Sequence, residues 1–272
     1  MASDLSNRMK QCYEDKTRYY LPQRTYTICR IDGKAFHRFT KQRDFERPFS
    51  DEFMGLMDAT ARALCGEIDG ARLAYVQSDE ISLLLTDFQN RGTEAWFNGN
   101  VQKIASVTAS IATRVFNDHL IRVSLEDFND AESLMYGDFV FAAFDSRVFT
   151  IDDPFEVQNY FRWRVSDCVR NSVQMLGQAN YSHKQLHNVS CGRMKEMLVA
   201  EKGIDWNECP DRHKYGAIIA RVDVEKPVRF FHKKLKQWVV TEPVTRHEWQ
   251  TIEGVLPPSG NEWLTPYIPV DG

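Results

Sequence analysis

Leu73-Ala74-Tyr75-Val76-Gln77-Ser78-Asp79-Glu80-Ile81-Ser82-Leu83-Leu84-Leu85-Thr86 is the stretch that decides the fold. Leu73 to Gln77 and Ile81 to Thr86 read as two strands separated only by Ser78-Asp79-Glu80, so the chain reverses there as a hairpin. Upstream, Tyr26 to Ile31 is a third β-rich run. A basic loop ending at Pro48 follows it, and then Ser50 caps a helix whose apolar face is Phe53, Met57, Ala61, Leu64 and Ile68. Downstream, a helix from about Asn98 to Leu120 carries Val101, Ile104, Ala105, Thr108, Ile111, Ala112 and Val115 on one side, and Phe139 to Phe144 supplies a fourth strand. The order is β-α-β-β-α-β, an α+β arrangement of the ferredoxin-like kind. Right-handed crossovers then lay strand one beside strand three and bring Asp32 to the hairpin turn at Asp79.

The second half reads as more helical. Pro154 to Gln178 repeats apolar residues at Val157, Tyr160, Phe161, Val165, Cys168, Val169, Ser172 and Leu176, with Gly177 positioned to end the helix. Ser182 and Gln185 form a capping-box pair, and a further helix from Ser190 to Lys202 stops at Gly203. Strands at Ala217 to Val224, Val228 to Phe231 and Trp238 to Thr241 follow, the last two joined by a lysine-rich turn, and the tail from Gly254 onward reads as loosely ordered. Residues 1–150 are thus expected to form the catalytic unit, with residues 151–272 as a helical extension and C-terminal strands packed on it.

The chain lacks any run of about eighteen apolar residues, and its six cysteines form no C-x-x-C pair, so a membrane span, a disulfide framework and a zinc knuckle are not expected and a cytoplasmic location is. His183 and His187 have metal-ligand spacing but no third partner in the sequence. The formal net charge of −4 conceals segregation: residues 24–47 carry seven Lys/Arg against three acids, and residues 221–238 six against two. Such clusters form either a basic face for RNA or a solvated surface.

Two carboxylates at one sheet edge are the donor set of a two-metal phosphoryl-transfer site, since Mg²⁺ takes hard oxygen ligands and leaves places for water and phosphates. Gly33 would let the backbone approach an ion or phosphate closely, and Lys34, Ala35, Phe36 and His37 would wrap a triphosphate. Each piece also has a plain structural alternative, because Asp32-Gly33 is a turn dipeptide and Asp79-Glu80 a polar hairpin tip. No G-x-S-x-G or Cys/His grouping supports a nucleophilic enzyme.

Beyond spacing, Arg30-Ile31-Asp32-Gly33-Lys34-Ala35-Phe36-His37-Arg38-Phe39 and Ala74-Tyr75-Val76-Gln77-Ser78-Asp79-Glu80-Ile81-Ser82 resemble the signatures of the tRNA-His guanylyltransferase superfamily. The resemblance continues through Trp96-Phe97, Lys103, Phe144-Asp145-Ser146-Arg147-Val148 and Trp163-Arg164-Val165-Ser166-Asp167-Cys168, covering roughly residues 5–225. It implies a polymerase-palm catalytic domain that extends RNA in the 3′-to-5′ direction, uses two Mg²⁺ ions, takes ATP or GTP as substrates and assembles as a homotetramer. It implies Asp32 and Asp79 as side-chain metal ligands, Gly33 as a backbone ligand and Glu80 as their support. It implies a nucleotide site from Asp32 to His37 with Ser78 and Asp79, and triphosphate contacts at Lys103 and Arg47.

After Ser166-Asp167-Cys168 the chain reads Val169-Arg170-Asn171-Ser172-Val173-Gln174, without the histidine that the eukaryotic enzymes carry there. This text and Cys191-Gly192-Arg193-Met194-Lys195-Glu196-Met197-Leu198 resemble the bacterial and archaeal branch, similar to template-dependent polymerases that repair 5′-truncated tRNA. Arg170 and Asn171, off the apolar stripe, and Arg193 and Lys195 are the candidate RNA contacts. The alternatives are a palm-type nucleotide cyclase, which would consume NTP without RNA, and a noncatalytic tRNA-binding protein, whose affinity would survive loss of both aspartates.

Overall fold

The computed structural model describes residues 2–125, 139–252 and 264–269. A short helix α1 (Ala2–Met9) precedes β1 (Tyr26–Gly33), α2 (Phe36–Gln42), α3 (Asp51–Glu67), the hairpin β2 (Ala71–Gln77) and β3 (Glu80–Thr86), α4 (Val101–Ser124) and β4 (Phe144–Ile151). Then come α5 (Pro154–Asn180), α6 (His183–Leu186), α7 (Cys191–Met197), α8 (Asp211–Tyr215) and a final hairpin of β5 (Ala217–His232) and β6 (Gln237–Ile252). The six strands form one sheet in the order β4-β1-β3-β2-β5-β6, with every neighbouring pair antiparallel. No helix among the described residues is long and apolar enough to cross a membrane.

Both faces of the sheet are covered. On one face Cys29, Ile31, Ala74, Val76, Ile81 and Leu83 pack against α2, α3 and α4. On the other, Tyr26, Ile28, Leu73, Tyr75 and Leu84 pack against Val157, Tyr160, Phe161, Val165 and Cys168 of α5. Central strands enclosed in this way read as unbroken apolar runs rather than alternating ones, which is why Leu83-Leu84-Leu85 is buried throughout. Ser50 accepts from the Phe53 amide at 3.2 Å and caps α3, and Asn100 accepts from Lys103 at 2.9 Å and caps α4.

The structure corrects the sequence reading of several elements. The fourth strand is Phe144–Ile151 rather than Phe139 to Phe144. Phe139, Ala142 and Phe144 are buried among the helices, and Asn117 of α4 holds both the amide and the carbonyl of Ala142, so this apolar run is core-filling loop. The basic segment after β1 is not all loop, since it contains α2, with Phe36 and Phe39 buried. Gly177 does not end α5, which continues to Asn180. A Cβ at Gly177 would lie 2.2 Å from Met194 Sδ, so the glycine lets α7 approach closely.

The two short strands expected at Val228 to Phe231 and Trp238 to Thr241 belong to strands of 16 residues each. Pro227 and Pro243 face each other across that ladder beside a register shift, which keeps both prolines within it. Most of the tail from Gly254 onward lies outside the described residues, but Leu264 and Ile268 are buried against the α5 side of the sheet rather than loose.

Candidate active site

β1 carries Asp32 and Gly33 as its last two residues. The β2–β3 connection is tighter than expected: Gln77 pairs with Glu80, so only Ser78 and Asp79 form the turn, with Ser78 at φ +45°. Because β1 lies beside β3, Asp32 is in register with Glu80, and the Gly33 amide donates to the Asp79 carbonyl at 3.1 Å. Asp32 and Asp79 therefore meet at one end of the sheet. On the other side of β1, Asp145 stands opposite Asp32, and Arg147 reaches Asp32 and Asp145, each at 3.9 Å.

This end of the sheet is crowded with negative charge. Burial, followed by the neighbouring Asp32 carboxylate, pushes the Asp79 carboxyl up from 3.8 to about 6. Asp32 is also raised, first by burial and then by Asp145, against the opposing pull of Arg147, Arg30 and Arg164. Two carboxylates that resist ionisation beside each other suit a hard divalent cation, whose charge removes both penalties. No set of three or more His, Cys, Asp or Glu side chains gathers as a metal cluster among the described residues, and the donors that adjoin at this end of the sheet are the Asp32 and Asp79 carboxylates with nearby backbone oxygen. Such a sparse set fits Mg²⁺, which keeps water and phosphate ligands.

Glu80 is buried and satisfied. Arg164 of α5 grips both its oxygens at 2.7 and 2.6 Å, and Ser82 donates to it at 3.2 Å. Asp79 opens onto a cleft of ≈ 420 Å³, with Phe45, Phe49, Phe53, Met54 and Met175 as apolar walls and His37, Arg47, Gln77, Ser78 and Asn171 as polar ones. A nucleoside has this balance of flat apolar surface and edge hydrogen bonds.

The other anticipated residues are less uniformly placed. Lys34 is exposed beside Asp32, but its amide, like that of Gly33, is already engaged, donating to the Ala143 carbonyl at 2.8 Å. Ala35 is exposed in a left-handed conformation at φ +55°. Phe36 borders the cleft yet is chiefly core, its ring lying where a Cβ on Gly33 would stand. Lys103 does not join the group. It lies in the first turn of α4, next to Ile104, which packs by Thr27, Leu85 and Thr86 at the opposite end of β1.

Of the candidate RNA contacts, Arg170 is exposed and paired with Asp167, Arg193 is exposed and paired with Glu196, and Lys195 sits 3.3 Å over the Trp206 ring. Asn171 faces the cleft rather than open solvent. Among the described residues, His183 and His187 enter no metal cluster. Sequence reasoning missed the Arg164–Glu80 pair. Its signal was an arginine within an apolar stripe, four residues after Tyr160 and four before Cys168. It also missed the buried pair of Arg212 and Asp58, 2.7 Å apart beneath the cleft, for which no local pattern exists.

A family model described as tRNAHis guanylyltransferase matches residues 6–152. The tRNA(His) guanylyltransferase of Schizosaccharomyces pombe is 28% identical over 232 residues, covering 82% of this chain and 82% of its own length. A solved bacterial tRNA(His) guanylyltransferase-like protein in complex with ATP is 38% identical, with a TM-score of 0.71 over 87% of this chain and 91% of that one. A solved bacterial guanylyltransferase-like protein in complex with GTP is 31% identical, with a TM-score of 0.75 over 98% of this chain and 100% of that one.

Proposed function

Because this chain belongs to the tRNAHis guanylyltransferase family of nucleotidyltransferases, we propose that it adds nucleotides to the 5′ end of tRNA in the 3′-to-5′ direction, choosing each by pairing with the opposite strand. The observation that carries the reading is the meeting of Asp32 and Asp79 at one end of the sheet, with Asp79 lining a nucleoside-sized cleft. In this reading the first four strands and their two crossover helices are a polymerase palm, supported by the strand order β4-β1-β3-β2.

Asp32 and Asp79 would hold Mg²⁺ with the Gly33 carbonyl. The ion would supply a lowered pKa for an attacking hydroxyl and neutralise charge on leaving pyrophosphate. The chain's own residues do the rest. His37 and Arg47 line the cleft, where the Arg47 guanidinium would offset triphosphate charge. Gln77, Ser78 and Asn171 offer hydrogen bonds along the cleft wall, and its aromatic side excludes water from the reacting phosphorus. Glu80 is held by Arg164 and fixes the turn that carries Asp79.

The distal part of β5 and β6 exposes Phe231, Leu235 and Trp238 beside Lys233, Lys234 and Lys236, with Arg229 stacked 4.9 Å over Trp238. Cations interleaved with aromatics suit an RNA backbone and its unpaired bases. The position of the missing histidine, Val169, is partly buried against the packing around Trp206, so no side chain there presents a base-specific donor. That supports base choice by the template strand and the 5′-repair branch of the family. Incubation with Mg²⁺, NTPs and a tRNA lacking its 5′ nucleotide tests the activity, which should yield a product one residue longer. Consumption of NTP without RNA would instead indicate the cyclase, and tRNA affinity with no product, unchanged in Asp32→Ala, would indicate the binder.

A further inference from the structure

Arg164 is an arginine in the wrong place for a surface charge. It sits on the sheet-facing stripe of α5 and is only 5% exposed. Its guanidinium binds both Glu80 oxygens, through Nε at 2.7 Å and Nη2 at 2.6 Å, and Nη2 also reaches Asp167 at 3.0 Å. The Trp163 ring covers it from outside, 4.5 Å from Cζ. Glu80 in turn closes the two-residue turn of Asp79 by pairing with Gln77, and it faces Asp32 across the ladder. Asp167 accepts from Arg170 and, at 3.4 Å, from Asn171, the residue that α5 contributes to the cleft wall.

A buried ion pair is weak evidence for stability, because desolvating both charges offsets most of their attraction. What the planar fork does provide is direction. Two parallel hydrogen bonds fix the carboxylate's rotation as well as its position, which an ammonium cannot do. We propose that Arg164 is a positioning residue that sets the geometry of the Asp32–Asp79 pair through Glu80 and, through Asp167, locks that pair to the helix lining the nucleotide cleft. Arg164 does not line the cleft and spends its hydrogen bonds on Glu80 and Asp167. It acts by holding the turn on one side and the cleft wall on the other. The proposal rests on the metal-binding reading of Asp32 and Asp79.

The test compares full-length wild type with Arg164→Lys and Glu80→Gln, using three readouts: thermal unfolding, Mn²⁺ binding to the free protein by electron paramagnetic resonance, and single-turnover nucleotide addition on a 5′-truncated tRNA. Arg164→Lys keeps the charge but loses the fork, so it should unfold cooperatively while Mn²⁺ affinity and the rate of addition fall by about 10–100-fold. The single-turnover rate at saturating Mn²⁺ and NTP should remain below that of wild type, because the geometry of the turn as well as ion affinity is lost. A folded Arg164→Lys with wild-type Mn²⁺ affinity and rate would overturn the proposal. If that variant fails to fold, Glu80→Gln decides, and wild-type values there overturn it equally. Wild-type protein that binds no Mn²⁺ and adds no nucleotide would overturn the metal-site reading and this inference together, whereas failure confined to the variants strikes the inference alone.

Discussion

Replacing Asp79 by asparagine should stabilise the metal-free protein at neutral pH while ending its activity. Asparagine keeps the shape and one acceptor oxygen but removes a charge that burial and Asp32 both disfavour. Raising a carboxyl from 3.8 to about 6 corresponds to a charge penalty of about 3 kcal/mol. Solvent screening at this half-buried position reduces that to about 1–2 kcal/mol. The folded protein binds the Asp79 proton more tightly than the unfolded chain does, so the uncharged form contributes stability that is full below the unfolded value of 3.8 and is lost as pH rises through about 6. The gain in Asp79→Asn should therefore be present at pH ~7.5 and nearly absent at pH ~4. For a chain of this size it amounts to roughly 2–8 °C in melting temperature. Differential scanning calorimetry in EDTA at the two pH values measures it, and added Mg²⁺ should raise wild type but not the variant. A variant no more stable than wild type at neutral pH, or one equally stabilised at both, would refute the electrostatic account of this turn.

Three further outcomes follow from the packing and the cleft. Asp58→Ala leaves the buried Arg212 guanidinium without its partner at 2.7 Å, and should cost about 3–5 kcal/mol in urea unfolding; a loss under about 1 kcal/mol would mean that the pair is solvated. Gly177→Ala puts a methyl 2.2 Å from Met194 Sδ. It should cost about 1–3 kcal/mol, and far less when Met194 is already alanine, which a double-mutant cycle reads directly. Arg47→Ala removes a cation from the cleft rim and should lower kcat/KM for the incoming NTP by about 1–3 kcal/mol, mostly through KM; unchanged steady-state kinetics would remove Arg47 from the triphosphate site.

Much of this was legible because the informative residues are close to strand ends. The hairpin at Ser78-Asp79 and the run from Tyr26 to Asp32 are local patterns, and the handedness rule was enough to place them side by side. Phe139 to Phe144 was misread because an apolar run says only that side chains are buried, not that the backbone pairs. The true edge strand, Phe144–Ile151, carries three consecutive polar residues, Asp145, Ser146 and Arg147, and is partly exposed, so it gave a weaker signal. Gly177 was misread because close helix packing and helix termination both favour glycine. The cleft wall from α5 and the Arg212–Asp58 pair were invisible, since they join residues far apart in the chain, Asp58 and Arg212 being 154 positions apart. Lys103, to which the resemblance gives a triphosphate contact, lies in the first turn of α4, where no short-range pattern ties it to Asp32.

The most direct measurement of the central claim is a panel of 5′-truncated tRNAs differing only at the templating nucleotide, each offered the four NTPs separately with Mg²⁺, using wild type, Asp32→Ala and Asp79→Ala. Wild type should add whichever nucleotide complements the opposing base, with weak preference for guanosine opposite a mismatched one. Both variants should add nothing while unfolding as cooperatively as wild type, because each has lost a metal ligand rather than a core contact. Guanosine addition regardless of the template, or near-normal addition by either variant, would contradict the account.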